Sequence, residues 1–278
     1  MQELKKRIWL ERFDCLSISG KDANKFLNGI TTGNIINATS KVTKTCWLTP
    51  KGILRSLLEI IFLENKVEVV ILEGDINEVI NFFNKIIFPA DDVCLSDPFS
   101  IIRIQEVDES NSWRIYKPIF LKNEDEEYYL YKKDPNVLNL DELQLWKIVQ
   151  AIPSLDNEID GINNPLELGL RDLIDFNKGC YLGQETMSRI KNASSLKQEI
   201  RVWETSDFVL NFESENKNLY TDSTKKNCVG RITRFLKTDS KIKGLAIIKR
   251  KYIDQEKFLY SEIFGQIKIF KSVGSIFL

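Results

Sequence analysis

The chain has 278 residues, of which 43% are hydrophobic and 28% are charged, a composition that excludes disordered and collagen-like proteins. Its 39 Lys and Arg residues balance 40 Asp and Glu residues, so it lacks the overall positive field of a dedicated nucleic-acid-binding protein. No apolar run is long enough to cross a bilayer and no apolar signal region follows Met1, so we expect a cytoplasmic protein without a membrane partner.

The sequence contains no histidine. This excludes Ser-His-Asp and Cys-His catalysis and every metal site built on imidazole. The five cysteines include no Cys-x-x-Cys pair, so the chain itself is predicted to hold no metal site or iron–sulfur ligand set. Cys15, Cys46 and Cys94 lie in apolar segments and are interpreted as buried structural residues.

Residues 1 to 150 predict a mixture of strands and helices. Apolar residues recur at helical spacing near Phe26, from Ile76 to Ile87 and from Asp141 to Gln150. Thr49-Pro50-Lys51-Gly52 has the composition of a tight turn, which predicts a hairpin. Strands are predicted at Asp14–Ile18, Thr43–Leu48, Ile53–Phe62, Val67–Leu72, Val93–Leu95, Ser100–Ile104, Trp113–Tyr116 and Glu127–Tyr131. The lack of a regular strand–helix alternation indicates an α+β fold.

The rest of the chain predicts a loop and then a small all-β domain. Pro, Asp, Asn and Gly are frequent from Pro153 to Asn164, which is typical of a loop. Short apolar strands separated by polar turns are predicted at Ile200–Trp203, Phe208–Phe212, Val229–Thr233, Gly244–Ile248 and Phe264–Phe270.

The segment from Asp175 to Arg189 carries the densest chemistry of the chain. Gly183 permits a tight backbone approach, and good helix formers follow it. Cys180 is therefore expected at or just before a helix N-terminus, where the helix dipole and the nearby Lys178 favour the thiolate. A thiolate is a nucleophile or a metal ligand. A buried cysteine in a glycine-rich turn is the alternative interpretation.

The pattern Lys178-Gly179-Cys180-Tyr181-x-Gly183-Gln184-Glu185-x-x-x-Arg189 resembles the signature of the YgfZ family of folate-binding proteins. These are relatives of the glycine-cleavage aminomethyltransferase, or T-protein. The resemblance covers most of the chain and is weakest from Ser100 to Asn139. Other similar segments are Phe26-Leu27-Asn28-Gly29 with Thr32, Leu48-Thr49-Pro50-Lys51-Gly52, Ile152-Pro153, Pro165-Leu166-Glu167 and Gly244-Leu245-Ala246.

The resemblance implies a T-protein-like α+β fold of three lobes, with a ferredoxin-like unit and a C-terminal β-barrel around a central cavity. Residues 1–194 would form two interleaved α+β subdomains that bind tetrahydrofolate or a derivative, and residues 195–278 would form the barrel. Cys180 would be the catalytic thiol. The residues implied to bind the cofactor are Lys178, Tyr181, Gln184, Glu185 and Arg189. The implied role is to support iron–sulfur client enzymes, including radical enzymes that modify tRNA.

An active aminomethyltransferase is a second hypothesis. T-proteins carry an acidic pair in a pattern resembling Gly-x-x-Asp-Asp, whereas this chain has Gly52-Ile53-Leu54-Arg55-Ser56. An arginine cannot replace a carboxylate that accepts a proton. T-proteins also carry a segment resembling Arg-Leu-Glu-Ala-Gly where this chain has Lys147-Ile148-Val149-Gln150-Ala151. This difference reduces the polar contacts available to folate. Whether the protein is an enzyme therefore stays open.

A non-catalytic module that binds tRNA or a protein is a third hypothesis. The C-terminal third combines basic and aromatic side chains, as nucleic-acid surfaces do. A solvated basic face is the alternative interpretation. The side chains concerned are Lys191, Lys197, Arg201, Trp203, Arg231, Arg234, Lys241, Lys243, Lys249, Arg250 and Lys251.

Overall fold

The structure is a computed structural model that describes residues 6–108, 112–114, 117–155, 157–191, 196–206, 215–253 and 257–271. Its strands are β1 Arg7–Ser19, β2 Val42–Leu48, β3 Leu54–Phe62, β4 Lys66–Glu73, β5 Cys94–Leu95, β6 Phe99–Val107, β7 Ile119–Leu121, β8 Gln198–Thr205, β9 Asn218–Tyr220, β10 Cys228–Lys237, β11 Ile242–Lys249, β12 Phe258–Ser261 and β13 Gly265–Phe270. Its helices are α1 Ala23–Ile30, α2 Ile76–Ile86, α3 Glu126–Lys132, α4 Leu140–Val149, α5 Gln184–Arg189 and α6 Arg250–Ile253.

An antiparallel sheet in the order β2-β3-β4-β1-β6-β7, with β5 beside β1, organises the described residues up to Leu121. Helices α1 and α2 cover one face of it. Asp75 caps α2 by accepting a hydrogen bond from the backbone N–H of Asn77, and the three-and-four spacing buries Val79 and Phe83 against the sheet residues Ile18 and Val69. The predicted helices and the β2–β3 hairpin are confirmed.

A larger core, here called the central core, lies on the other face of the sheet. It contains Trp9 of β1, Trp146 of α4, Leu168 and Tyr181 from the segment that follows, and Val202 of the β8 strand. Trp9 faces this core because side chains alternate along a strand. The sheet, the segment carrying Cys180 and the barrel therefore meet in one apolar interior.

The C-terminal strands form a closed barrel in the order β10-β11-β8-β13-β12-β9. Its interior packs Trp203 against Phe264 at 5.0 Å between ring centroids. A methyl group on Gly244 would lie 2.6 Å from the Trp203 ring, so glycine permits this packing. The predicted strand-rich C-terminal region is confirmed as a barrel, with the short helix α6 between β11 and β12. Its expected strand Phe208–Phe212 lies outside the described residues.

Two expected strands differ from the structure. Glu127–Tyr131 forms part of helix α3, because the Asp125 side chain accepts from the N–H of Tyr128 and caps it. Trp113 and Arg114 lie in a turn, and residues 115 and 116 lie outside the described ranges. The domain boundary expected at residues 194 and 195 also lies outside them and stays a prediction.

Candidate functional site

Lys178 attaches the predicted site to the N-terminal part of the chain. Its Nζ atom donates hydrogen bonds to the backbone carbonyls of Asn28 at 2.6 Å, Thr31 at 2.9 Å and Gly33 at 2.5 Å. Burial lowers the pKa of Lys178 to about 8, against the opposing effect of the Asp175 carboxylate. Because three acceptors use the three N–H groups of the ammonium, Lys178 orients the Cys180 loop.

Helix α1 and the turn between β2 and β3 support the same loop from other sides. The N–H of Leu182 donates to the carbonyl of Gly29 at 3.0 Å. Gly183 packs against Gly52 and Thr49, and Gly183 and Gly52 have positive φ values of 84° and 77°. Three segments that are far apart in the sequence, around residues 29, 52 and 183, therefore meet at this point.

Cys180 is exposed. It lies three residues before Gly183, the N-cap of α5, whose first helical residue is Gln184. The Asp175 carboxylate closes the start of this loop by accepting from the N–H of Asn177 at 2.8 Å. That hydrogen bond is the main reason why the pKa of Asp175 lies below its usual range. The loop thus presents the thiol to solvent from a hydrogen-bonded frame.

Tyr181 is buried, whereas its neighbour Cys180 is exposed. Its side chain is buried in the central core, with the Lys178 Nζ atom 5.2 Å from the ring centroid. Burial raises the pKa of Tyr181 to about 12, with smaller contributions from Cys46 and Asp175. Within the described structure its buried hydroxyl has no hydrogen-bond partner.

The remaining predicted residues lie on the short helix α5. Gln184 is half-buried in its first turn, whereas Glu185 and Arg189 are exposed. Met187 on the same helix is buried, and a methyl group on Gly52 would lie 2.8 Å from its Cε atom. Packing of Met187 therefore holds the helix beside the β2–β3 turn and leaves its polar residues toward solvent.

A buried ion cluster in the sheet was missed by sequence analysis. Glu59 accepts from Arg103 Nε at 2.7 Å and lies 3.3 Å from Lys44 Nζ. Burial opposes ionisation of Glu59, but Arg103 and Lys44 outweigh it and lower its pKa. The sequence carried a signal for the burial of Glu59. It lies two residues from Leu57 and from Ile61, whose side chains both face the central core, so the alternation along the strand places Glu59 on the same face.

Two other expectations about side chains are corrected. Cys94, expected in the core, is exposed because β5 is a two-residue strand at the end of β1. Cys15 and Cys46 are buried as expected, and burial raises the pKa of each thiol to about 12.

The basic face expected for tRNA is smaller in the structure. Arg201 and Trp203 are fully buried, so neither can contact a nucleic acid. Arg231 pairs with Asp160, and Arg250 pairs with Glu199. Ion pairs of this kind reduce the positive potential that a phosphate backbone would encounter.

In the described part of the chain, no group of three metal-ligating side chains comes together. None of the helices in these ranges combines the length and the apolarity that crossing a bilayer requires.

Comparison with known proteins identifies a fold. No model of a known protein family matches the chain. A chloroplastic protein of Arabidopsis thaliana with a provisional transferase name is 35% identical over 106 residues, which are 37% of this chain and only 23% of the plant protein. An uncharacterized protein of Haemophilus influenzae is 24% identical over 218 residues, which are 70% of this chain and 72% of that protein.

Among solved structures, glycine cleavage system aminomethyltransferase T from Bartonella henselae is similar with a TM-score of 0.74 and 10% identity. The similarity covers 96% of this chain and 86% of the Bartonella protein. The chain therefore has the fold of aminomethyltransferase T, with a sheet of the ferredoxin-like kind and a closed six-stranded barrel.

Proposed function

We propose that this protein binds a reduced folate and, through the thiol of Cys180, supports iron–sulfur enzymes, including enzymes that modify tRNA. The observation that carries the proposal is the meeting of the segments around residues 29, 52 and 183 in a chain with the aminomethyltransferase T fold. These are the segments whose sequences resemble the YgfZ family. Their contacts support a common function for them.

The residues near the motif fit a ligand that carries polar groups. The unpartnered hydroxyl of Tyr181 is a buried hydrogen-bonding atom, and Gln184 is half-buried nearby in sequence. These two side chains would hold the folate, with Glu185 and Arg189 at the solvent side. A bound reduced folate would supply a carrier for one-carbon units. Lys178 would act as a positioning residue, because its three donors are used by backbone carbonyls.

Cys180 would act on a partner or a small reactant, because its side chain is exposed. Any cluster that it binds would need further ligands from a partner protein or a small thiol. The chain has no Cys-x-x-Cys pair, and its described residues assemble no set of metal ligands. This makes the proposed role that of an accessory factor.

A strain carrying Cys180→Ser tests the thiol, with Cys228→Ser as the matched control because Cys228 is also exposed. We expect Cys180→Ser to lower the activity of an iron–sulfur client enzyme while the purified variant still binds 5-formyltetrahydrofolate. Cys228→Ser should preserve both. Normal client activity in the Cys180→Ser strain would reject the thiol role, and failure of the wild-type protein to bind the folate saturably would reject the ligand.

An active aminomethyltransferase is the second candidate, which the fold favours. Arg55, which stands where T-proteins carry a carboxylate, forms an ion pair with Glu78 of α2. This pairing gives Arg55 a structural contact and no means of accepting a proton. An assay of methylene-tetrahydrofolate formation from an aminomethylated carrier protein discriminates the two candidates: turnover would favour the transferase, and its absence would favour the accessory factor.

A further inference from the structure

Arg114 presents an unused hydrogen-bonding edge inside the protein. Its side chain is 3% exposed, and its Nη1 atom donates to the Gly169 carbonyl and the Asp172 carboxylate, each at 2.8 Å. Its Nε and Nη2 atoms are buried and have no partner in the described structure. Together these two atoms form the side-on edge of the guanidinium, which can donate two parallel hydrogen bonds.

The protein already uses the same edge of another arginine to bind a carboxylate. Arg103 donates from Nε and Nη2 to the two carboxylate oxygens of Glu59, at 2.7 and 3.0 Å. The edge of Arg114 has the same chemistry, and its side chain is 3% exposed against 0% for Arg103. Asp172 pairs with Nη1 alone, so this edge holds no anion from the described residues. A planar group with two oxygens is therefore the complement of Arg114.

More unpartnered donors belong to a hydrogen-bonded network that adjoins Arg114 through Trp113. Trp113 Nε1, Gln150 Nε2 and Arg103 Nη1 are buried and have no partner among the described residues. The N–H of Trp113, next to Arg114 in the chain, donates to Gln150 Oε1 at 3.3 Å. The carbonyl of Trp113 accepts from Gln105 Nε2 at 3.1 Å, and Gln105 Oε1 accepts from Arg103.

The backbone of Trp113 determines the orientation of both amide side chains. A backbone N–H only donates and a carbonyl only accepts, so the Gln150 oxygen is engaged and its NH2 group is the open end. Every open atom in this network is consequently a donor. Leaving a buried donor unsatisfied costs free energy, and leaving a charged donor unsatisfied costs more, so an acceptor-rich ligand would stabilise the folded chain.

We propose that the open edge of Arg114, with Trp113, Gln150 and Arg103, forms an internal site for the carboxylate group of a small molecule. Neither Cys180 nor the motif around it contributes a donor, so the site goes beyond the proposed function if it binds a separate acid and rests on that function if it binds a folate tail. The carboxylate belongs either to the glutamyl tail of a folate or to a separate small acid. The experiment distinguishes these sources by using probes that carry the carboxylates without the pterin.

Isothermal titration calorimetry on the full chain at constant ionic strength tests this site with glutarate, 4-aminobenzoyl-L-glutamate and inorganic phosphate. We expect a carboxylate probe to bind saturably. Tighter binding of 4-aminobenzoyl-L-glutamate than of glutarate assigns the site to a folate tail, whereas equal or tighter binding of glutarate assigns it to a separate acid. Binding of phosphate alone, or of no probe, overturns the proposal.

Variants identify the binding residues. Arg114→Lys should weaken binding of the carboxylate probe about tenfold or more, since an ammonium cannot make the bidentate contact. Arg12→Lys, at an exposed arginine, should leave the affinity unchanged. Gln150→Glu keeps the side-chain shape and adds a repelling carboxylate, so it should also weaken binding. This variant provides the test if Arg114→Lys fails to fold. Unchanged affinity in a folded Arg114→Lys or Gln150→Glu protein would overturn the assignment.

Discussion

Gly183 and Gly52 approach each other so closely that a methyl group on Gly183 would lie 3.2 Å from the Gly52 Cα atom. The same methyl group would lie 2.8 Å from the carbonyl oxygen of Thr49. The Cys180 loop and the β2–β3 turn thus meet backbone to backbone, with no side chain between them. The position of Cys180 depends on this contact.

Gly183→Ala should lower the free energy of unfolding by about 3 kcal/mol or more, because backbone strain at positive φ adds to steric overlap. Gly161 is a matched control: its φ is +78°, and a methyl group there would meet nothing within 4 Å. Gly161→Ala should therefore cost only about 1 kcal/mol. Urea denaturation measures both values, and equal losses would contradict the steric contact.

Lys178→Met should lower the free energy of unfolding by about 3 kcal/mol, because three backbone carbonyls lose a charged donor. Lys51→Met, at an exposed lysine of the β2–β3 turn, should change it by less than about 0.5 kcal/mol. Urea denaturation of the two variants checks this difference. If Lys178→Met were as stable as Lys51→Met, the anchoring role of Lys178 would be wrong.

Thiol titration with a chromogenic disulfide reagent at pH 8 should detect three reactive thiols in the native protein. Cys94, Cys180 and Cys228 are exposed, whereas Cys15 and Cys46 are buried. Burial raises the pKa of the latter two to about 12, and only the thiolate attacks the reagent. Cys180→Ser should reduce the count to two, and unfolding in urea should raise the wild-type count to five. Three reactive thiols in native Cys180→Ser protein would show that Cys180 is not accessible.

Glu73→Gln should stabilise the protein at neutral pH. Burial raises the pKa of Glu73, opposed by Lys147 and by the N–H of Leu155. The folded chain holds this proton more tightly than the unfolded chain, so the contribution of Glu73 to stability is present at acidic pH. It is lost as the pH rises through the raised pKa, with a slope of at most about 1.4 kcal/mol per pH unit.

The measurement for Glu73 is urea denaturation from pH 4 to pH 7, with the exposed Glu64→Gln as control. The difference between Glu73→Gln and wild type should grow with pH, while Glu64→Gln should follow the wild-type curve. A constant difference across this range would show that Glu73 does not titrate as its burial requires.

Local sequence patterns predicted elements whose signals agree with one another. In α2 the Asp75 cap and the helical spacing of Val79 and Phe83 indicate the same structure. The segment Glu127–Tyr131 was assigned wrongly because its aromatic residues favour a strand. The Asp125 cap, and the packing of Tyr128 against Ile102, stabilise it as a helix.

The candidate site was predictable only in part, because its residues form a local motif whereas its contacts join distant segments. The motif drew attention to Cys180 and Lys178, but it did not indicate that Lys178 binds backbone carbonyls. Those carbonyls lie about 150 residues earlier in the chain. The donors around Arg114 were missed because the residues that carry them, Arg103, Trp113 and Gln150, come from distant segments of the chain.

The sequence alone determined which chemistry is excluded, since a chain without histidine cannot use imidazole. It also predicted most strands of the sheet, a strand-rich C-terminal region and the helices α1, α2 and α4, because periodicity is a local property. Only the tertiary structure decided that Gly52 meets Gly183 and that one edge of Arg114 has no partner among the described residues. Periodicity reports which side of an element is apolar, whereas a contact between distant segments depends on how the whole chain packs.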